Sequence, residues 1–328
     1  MPGQGYNSTL AIAPELVAYG TKSVSTWFIM DYASESIKAE PRTRHRKCLR
    51  TGTVPGMQRF TYQGVKKIGG QVKVELNFQG MLQFLKHACG GYSFGANTPV
   101  SGASTHTFTI TEALPNYGLS MEIGRANIPA DKVFLYVGGK VNELAFNFKT
   151  GDIMELVAGM SFKDETTNAT PSITTGYAAD YPVFWRYAGS LTLCGETAVP
   201  FDGGSIKLNN NLSLDRYLMA ATLPNPIRAG YKEITGEILG EYDSLALYTK
   251  YLADTPGTFT LTFTSDSLIT GTTYRSIAFS IPNIILEGGT PNVDGPGIVP
   301  YTIPFRALYD GTNNPMTIAV VSTEATLL

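Results

Sequence analysis

The chain has 328 residues, of which 43% are hydrophobic and only 16% charged, with a formal net charge of −2. That composition supports a buried core and excludes a disordered chain or one with the overall basic footprint of a tight nucleic-acid binder. Three cysteines in a chain this long exclude a disulfide framework. No apolar run approaches the ~18 residues of a membrane helix, and the first residues lack the basic-then-apolar pattern of a signal peptide. Charge is unevenly distributed: residues 1–178 carry 17 Lys/Arg and 13 Asp/Glu (+4), and residues 179–328 carry 8 and 14 (−6).

In chain order, the first strong signal is Gln71–Gln79. Val72, Val74, Leu76 and Phe78 alternate there with Lys73, Glu75 and Asn77, the period of a strand buried on one face. A helix follows at about 80–89, ending at Gly90-Gly91. A Thr/Phe-rich strand covers 106–110. Residues 140–163 read as a hairpin: Leu144, Phe146 and Phe148 alternate before a Lys149-Thr150-Gly151-Asp152 turn, and Met154, Leu156, Ala158, Met160 and Phe162 alternate after it. Ile206, Leu208, Leu212 and Leu214 mark another strand region, and Tyr231–Glu241 leads into a second helix at about 243–253, with Asp243 or Ser244 as its cap. Further strands are expected at 258–264, 276–286, 299–309 and 317–321.

The order strands–helix–strands therefore occurs twice, which predicts a duplication: a mainly β chain of two tandem β-sandwich or barrel domains, 1–172 and 173–328, each with one short flanking α-helix.

Motifs for catalysis are weak. Gly91-Tyr92-Ser93-Phe94-Gly95 matches G-x-S-x-G but follows a helix instead of a strand, so it reads as a helix exit. His45, Cys48, His87 and Cys89 do not share the spacing of a zinc site. The absence of a nucleophile–base pair argues against an enzyme, and no cofactor is expected. Asn7, Asn168 and Asn211 begin glycosylation sequons, uninformative without a leader.

Two surface features remain. Arg42, Arg44, Arg46, Lys47 and Arg50 sit close together. They read as a solvated loop, a contact arm for a neighbouring copy, or a DNA-contacting patch; no aromatic platform or recognition helix accompanies them. Glu75 and Asn77 before the first helix, and Glu233, Thr235 and Glu237 before the second, form polar strand faces. Such faces suit solvent. They also suit the wall of a channel, since carboxylates repel phosphates.

Several stretches together are similar to one family. Ala18-Tyr19-Gly20-Thr21 precedes Phe28-Ile29-Met30. An Arg-containing loop with Pro and Gly runs to Gly69-Gly70. Val72-Lys73-Val74-Glu75-Leu76 leads to a helix ending Ala88-Cys89-Gly90-Gly91. Thr302-Ile303-Pro304-Phe305-Arg306-Ala307-Leu308-Tyr309-Asp310 precedes Pro315-Met316-Thr317-Ile318. The chain resembles the tail tube proteins of long-tailed bacteriophages, of the kind with two fused tube domains. The resemblance implies a virion structural protein assembled in the host cytoplasm, with no membrane partner. It implies trimeric, pseudo-hexameric rings stacked around a tape-measure protein, capped by tail-end proteins, with double-stranded DNA passing through the lumen. Within it, the long basic loop 41–70 becomes a stacking arm, and Glu75, Asn77, Glu233 and Glu237 become lumen-facing. The alternatives are another virion component, a secreted tube subunit, or a carbohydrate-binding sandwich, for which Trp27 and Trp185 are the only tryptophans.

Overall fold

The computed structural model describes residues 8–45, 61–78, 80–96, 102–125, 132–172, 182–184, 188–197, 200–214, 227–228, 230–293, 295–325 and 327. Among them are two helices and twenty strands, so the fold is mainly β. The first half contains β1 (Thr9–Pro14), β2 (Phe28–Met30), β3 (Ser34–Glu35), β4 (Lys38–His45), β5 (Thr61–Glu75), α1 (Leu82–Cys89), β6 (Gly90–Ala96), β7 (Ser104–Ile110), β8 (Leu119–Gly124), β9 (Val133–Lys149), β10 (Glu155–Ser161) and β11 (Asp164–Ala169). The second contains β12 (Ala188–Leu193), β13 (Phe201–Asn209), β14 (Leu212–Ser213), β15 (Ile227–Arg228), β16 (Glu233–Glu241), α2 (Ala246–Leu252), β17 (Gly257–Thr270), β18 (Thr273–Leu286), β19 (Pro300–Ala307) and β20 (Thr317–Ser322).

Two antiparallel layers face each other. One runs β4–β5–β10–β9–β13–β16–β19. The other runs β12–β17–β18–β20–β7–β6. The alternation in the sequence dictates which faces meet: Val72, Val74, Leu144, Phe146, Leu156, Ile206, Ile238 and Phe305 of the first layer are buried. Aromatic contacts bridge the layers, with ring centroids 4.9 Å apart for Phe146–Phe279, 4.8 Å for Phe259–Phe305 and 6.0 Å for Phe148–Phe263. The buried cluster is continuous through both halves.

Within the first layer one strand order recurs. Within the first half the order is β4–β5–β10–β9; within the second it is β13–β16–β19–β18. In each, an early strand pair precedes the helix, and a late pair returns with its second strand beside the early pair. The halves join where β9 meets β13, from Gly203↔Lys149 to Asn209↔Glu143. A second seam pairs β20 with β7.

Two strands turn corners. In β18 the buried residues are Ile277, Phe279 and Ile281, then Ile284 and Leu286. The parity slips by one at Pro282-Asn283, and the strand exchanges β20 for β19 as its partner there. In β9 the bend falls at Gly138-Gly139: the first part pairs with β8 and β11, the second with β10 and β13. Gly138 has φ +68°, and a Cβ there would lie 2.5 Å from Cβ of Lys163, so only glycine fits.

Three expectations are corrected. The basic loop expected over 41–70 is shorter, because Lys38–His45 and Thr61–Gly70 form the paired strands β4 and β5. Charges and Pro41 conceal β4 from any alternation count, and both are normal on a strand at a sheet edge. Gly91–Gly95 lies in β6, paired residue by residue with β7, not in a helix-exit loop. The N-cap of α2 is Leu245, which makes no side-chain capping bond, so neither Asp243 nor Ser244 caps it. The boundary expected at 172/173 abuts residues outside the described set.

Candidate functional site: the polar face of the first layer

The outward face of the first layer forms rows that cross both halves. Tracing cross-strand partners, one row reads Glu75–Glu155–Asn147–Ser205–Glu237–Pro304. The next, two residues or ~7 Å along the strands, reads Lys73–Val157–Ala145–Lys207–Thr235–Arg306. The third reads Gln71–Gly159–Glu143–Asn209–Glu233. Glu75, Glu233 and Glu237 are exposed. Of the four residues expected to share a face, the structure unites these three. Asn77 lies beyond the end of β5, half-buried, in an isolated bridge with Pro182.

The rows are banded by charge. Five carboxylates (Glu75, Glu155, Glu237, Glu143, Glu233) flank three cations (Lys73, Lys207, Arg306). Ion pairs stitch adjacent bands: Lys73 to Glu155 at 2.6 Å, and Lys207 to Glu143 at 2.8 Å. Arg306, the β19 member of the second row, pairs with Glu287 at 2.5 Å, and this partner holds its guanidinium pKa above the ordinary value. Each pair is solvent-exposed and worth ~0–1 kcal/mol. Their consequence is local neutralisation, which leaves no free run of donors for an anionic polymer to grip. The sequence alone identified the outward side of β5, β9, β10, β13 and β16. It did not reveal the inter-strand register, and so Glu155 and Glu143 could not be aligned with Glu75 and Glu233.

The other candidate residues lie apart. Arg42 and Arg44 belong to the backbone of β4, while Arg46, Lys47 and Arg50 fall outside the described residues. His87 and Cys89 pack into the core on α1. Burial, with the Lys140 and Lys86 charges, pushes His87 down to about 3 and burial pushes the Cys89 thiol up to about 12. His45's side chain and Cys48 are outside the described set. Trp27 is only 3% exposed, which removes it as a sugar platform; Trp185 is outside the described set.

A search of curated proteins returned no match. The family model for "Phage tail tube protein" matches residues 5–307, nearly the whole chain. On this match the chain belongs to the phage tail tube protein family, whose members are structural components of the virion tail that assemble into a tube.

Proposed function

We propose that this protein is the major tail tube subunit, that three copies close a pseudo-six-fold ring, and that rings stack around a tape-measure protein between tail-end proteins to form the conduit for DNA. The observation carrying this reading is the repeated strand order with its internal seam. β9, last of the first repeat, pairs with β13, first of the second. The last strand of the second repeat, β18, is paired with β17 as far as Ile284; beyond that point the equivalent partner is the β3–β4 line of a second copy. This is a head-to-tail contact, and such a contact closes a ring when the rotation per repeat allows it. Closure also removes the sheet edges.

The repeat specifies the register. Ala145 opposes Val157 as Ile285 opposes Arg306, and Lys207 opposes Thr235 as Ser34 opposes Lys73. Ala145 pairs with Lys207 across the internal seam. By equivalence Ile285 pairs with Ser34 of the next copy. The banded face then lines the lumen, with Glu75, Glu233 and Glu237 on its surface, Asn77 at its rim, and net negative charge that keeps DNA from adhering. The basic segment 42–50 reaches other subunits.

The test is a Ser34→Cys, Ile285→Cys variant, assembled and then oxidised. A covalent trimer on a denaturing gel is the expected product, with each single variant remaining monomeric. Open-ended ladders without a trimer band would reject ring closure by this seam.

A further inference from the structure

β16 and β19 are antiparallel neighbours, paired from Thr235↔Arg306 to Glu241↔Pro300. Both ends of this ladder expose large apolar side chains. At one end Tyr231, two residues ahead of β16, is 93% exposed, and Leu308 and Tyr309, just past β19, are exposed beside it. Hydrogen bonds fix the backbone there: the Asn211 side-chain amide donates to the Tyr231 carbonyl at 2.7 Å, and the Leu308 N–H to the Asn283 carbonyl at 2.9 Å. At the other end Leu239, Leu245 and Ile298 are exposed, Ile298 to 73%. The Tyr242 N–H donates to the Val299 carbonyl at 3.0 Å, which joins the approach to α2 to the approach to β19.

The matching ladder of the first half, β5–β10, has neither patch. At its helix end Leu76, Phe78 and Met154 are buried, and the linker seals them: the Met154 N–H donates to the Val183 carbonyl at 2.9 Å, and the Val183 N–H to the Leu76 carbonyl at 2.8 Å. At its far end stand Gly69, Gly70 and Gly159, with Met160 buried. Single exposed hydrophobics are ordinary on a surface. Two patches at opposite ends of one ladder, both in the same half, form a pattern that the packing of one chain does not require.

The two patches cannot meet within a chain, since the nine residues of β16 hold them ~30 Å apart. They meet when copies follow one another head to tail along the strands, a contact that repeats indefinitely. Leu239 lies two residues beyond Glu237 on β16, where the polar wall of one ring would abut the next. We propose that the Tyr231, Leu308 and Tyr309 end of one copy seats on the Leu239, Leu245 and Ile298 end of a copy in the next ring, so that rings stack second half upon second half. A ring of six similar units can receive the next ring like upon like or shifted by one unit; apolar ends on alternate units select the first. The partner rests on the tube reading; the stacking offset rests on the ladder ends.

The test uses full-length chains carrying Cys48→Ser, in which Cys89 and Cys194 are buried. Tyr309→Cys chains and Leu245→Cys chains are mixed, assembled and treated with a short bismaleimide. A covalent dimer of one chain of each kind is expected, and none from either kind alone. Tyr309→Cys mixed with Asp152→Cys, in the matching turn of the first half, is expected to give none. Separately, Tyr231→Ser with Tyr309→Ser is expected to raise the concentration needed for tubes in negative stain at least tenfold, with the unfolding transition unchanged. Tubes that link Tyr309→Cys to Asp152→Cys, tubes that give neither dimer, or serine variants that form tubes at the parent's concentration would overturn the proposal and leave the tube reading intact. A parent protein that forms no tubes overturns both.

Discussion

Glu15 is 1% exposed, and its carboxylate holds three separate turns together. Oε1 accepts from the Gly138 N–H at 2.6 Å and the Ser120 hydroxyl at 3.2 Å; Oε2 accepts from the N–H groups of Gly20 at 2.7 Å and Gly118 at 3.2 Å. Glu15→Gln replaces one acceptor by a donor facing N–H groups, so a loss of about 2–3 kcal/mol is expected in denaturant unfolding. His87 gives a pH signature. Its folded pKa of about 3 lies below the unfolded value of ~6.5, so the unfolded state binds the extra proton. Its contribution is complete above about pH 6.5 and is lost as pH falls towards 3, at up to ~1.4 kcal/mol per pH unit. His87→Leu should flatten the stability–pH curve between pH 6 and 4 relative to the parent protein. None of this was legible beforehand. A lone His or Glu in a sequence carries no mark of burial.

At the scale of elements, alternation was a reliable guide wherever a strand has one buried face. It located β5 from Val72 onward, the β9–β10 hairpin, β16 and β18, and it contained the parity slip at Pro282-Asn283 that turns β18 from one layer to the other. It failed for β4, whose charges and proline suit an edge, and for β6, whose glycines resemble a turn. Register was invisible because it is a relation between strands. The rows on the polar face, and the alignment of Glu75 with Glu155, follow only from pairing. The interlayer aromatics give a test of that pairing. Phe146→Ala opens a cavity beside Phe279 at the centre of the sandwich, and a cost of about 3–5 kcal/mol is expected by thermal or chemical unfolding. Gly138→Ala should be nearly as damaging despite adding one carbon, since it meets both a positive φ and the Lys163 side chain.

At the scale of the whole molecule, two helices about half a chain apart were legible in the sequence, whereas the seams between halves were not. Charge reversal tests the assembly. Arg44→Glu, Arg46→Glu, Lys47→Glu should leave the circular dichroism and the unfolding transition unchanged while preventing tubes in negative-stain micrographs. Glu75→Lys with Glu237→Lys should still give tubes, and slow DNA release from reconstituted particles in a dye-uptake assay. The pairing of β20 with β7 has a temporal consequence. Thr317 lies opposite Thr109, 208 positions earlier (317 − 109), and β20 fills the space between β18 and β7. A nascent chain cannot finish its second layer until β20 has been synthesised. Contacts so distant in sequence also form slowly. The second layer is therefore closed only once β20 is in place, and a chain truncated before Thr317 is left with the facing edges of β18 and β7 open.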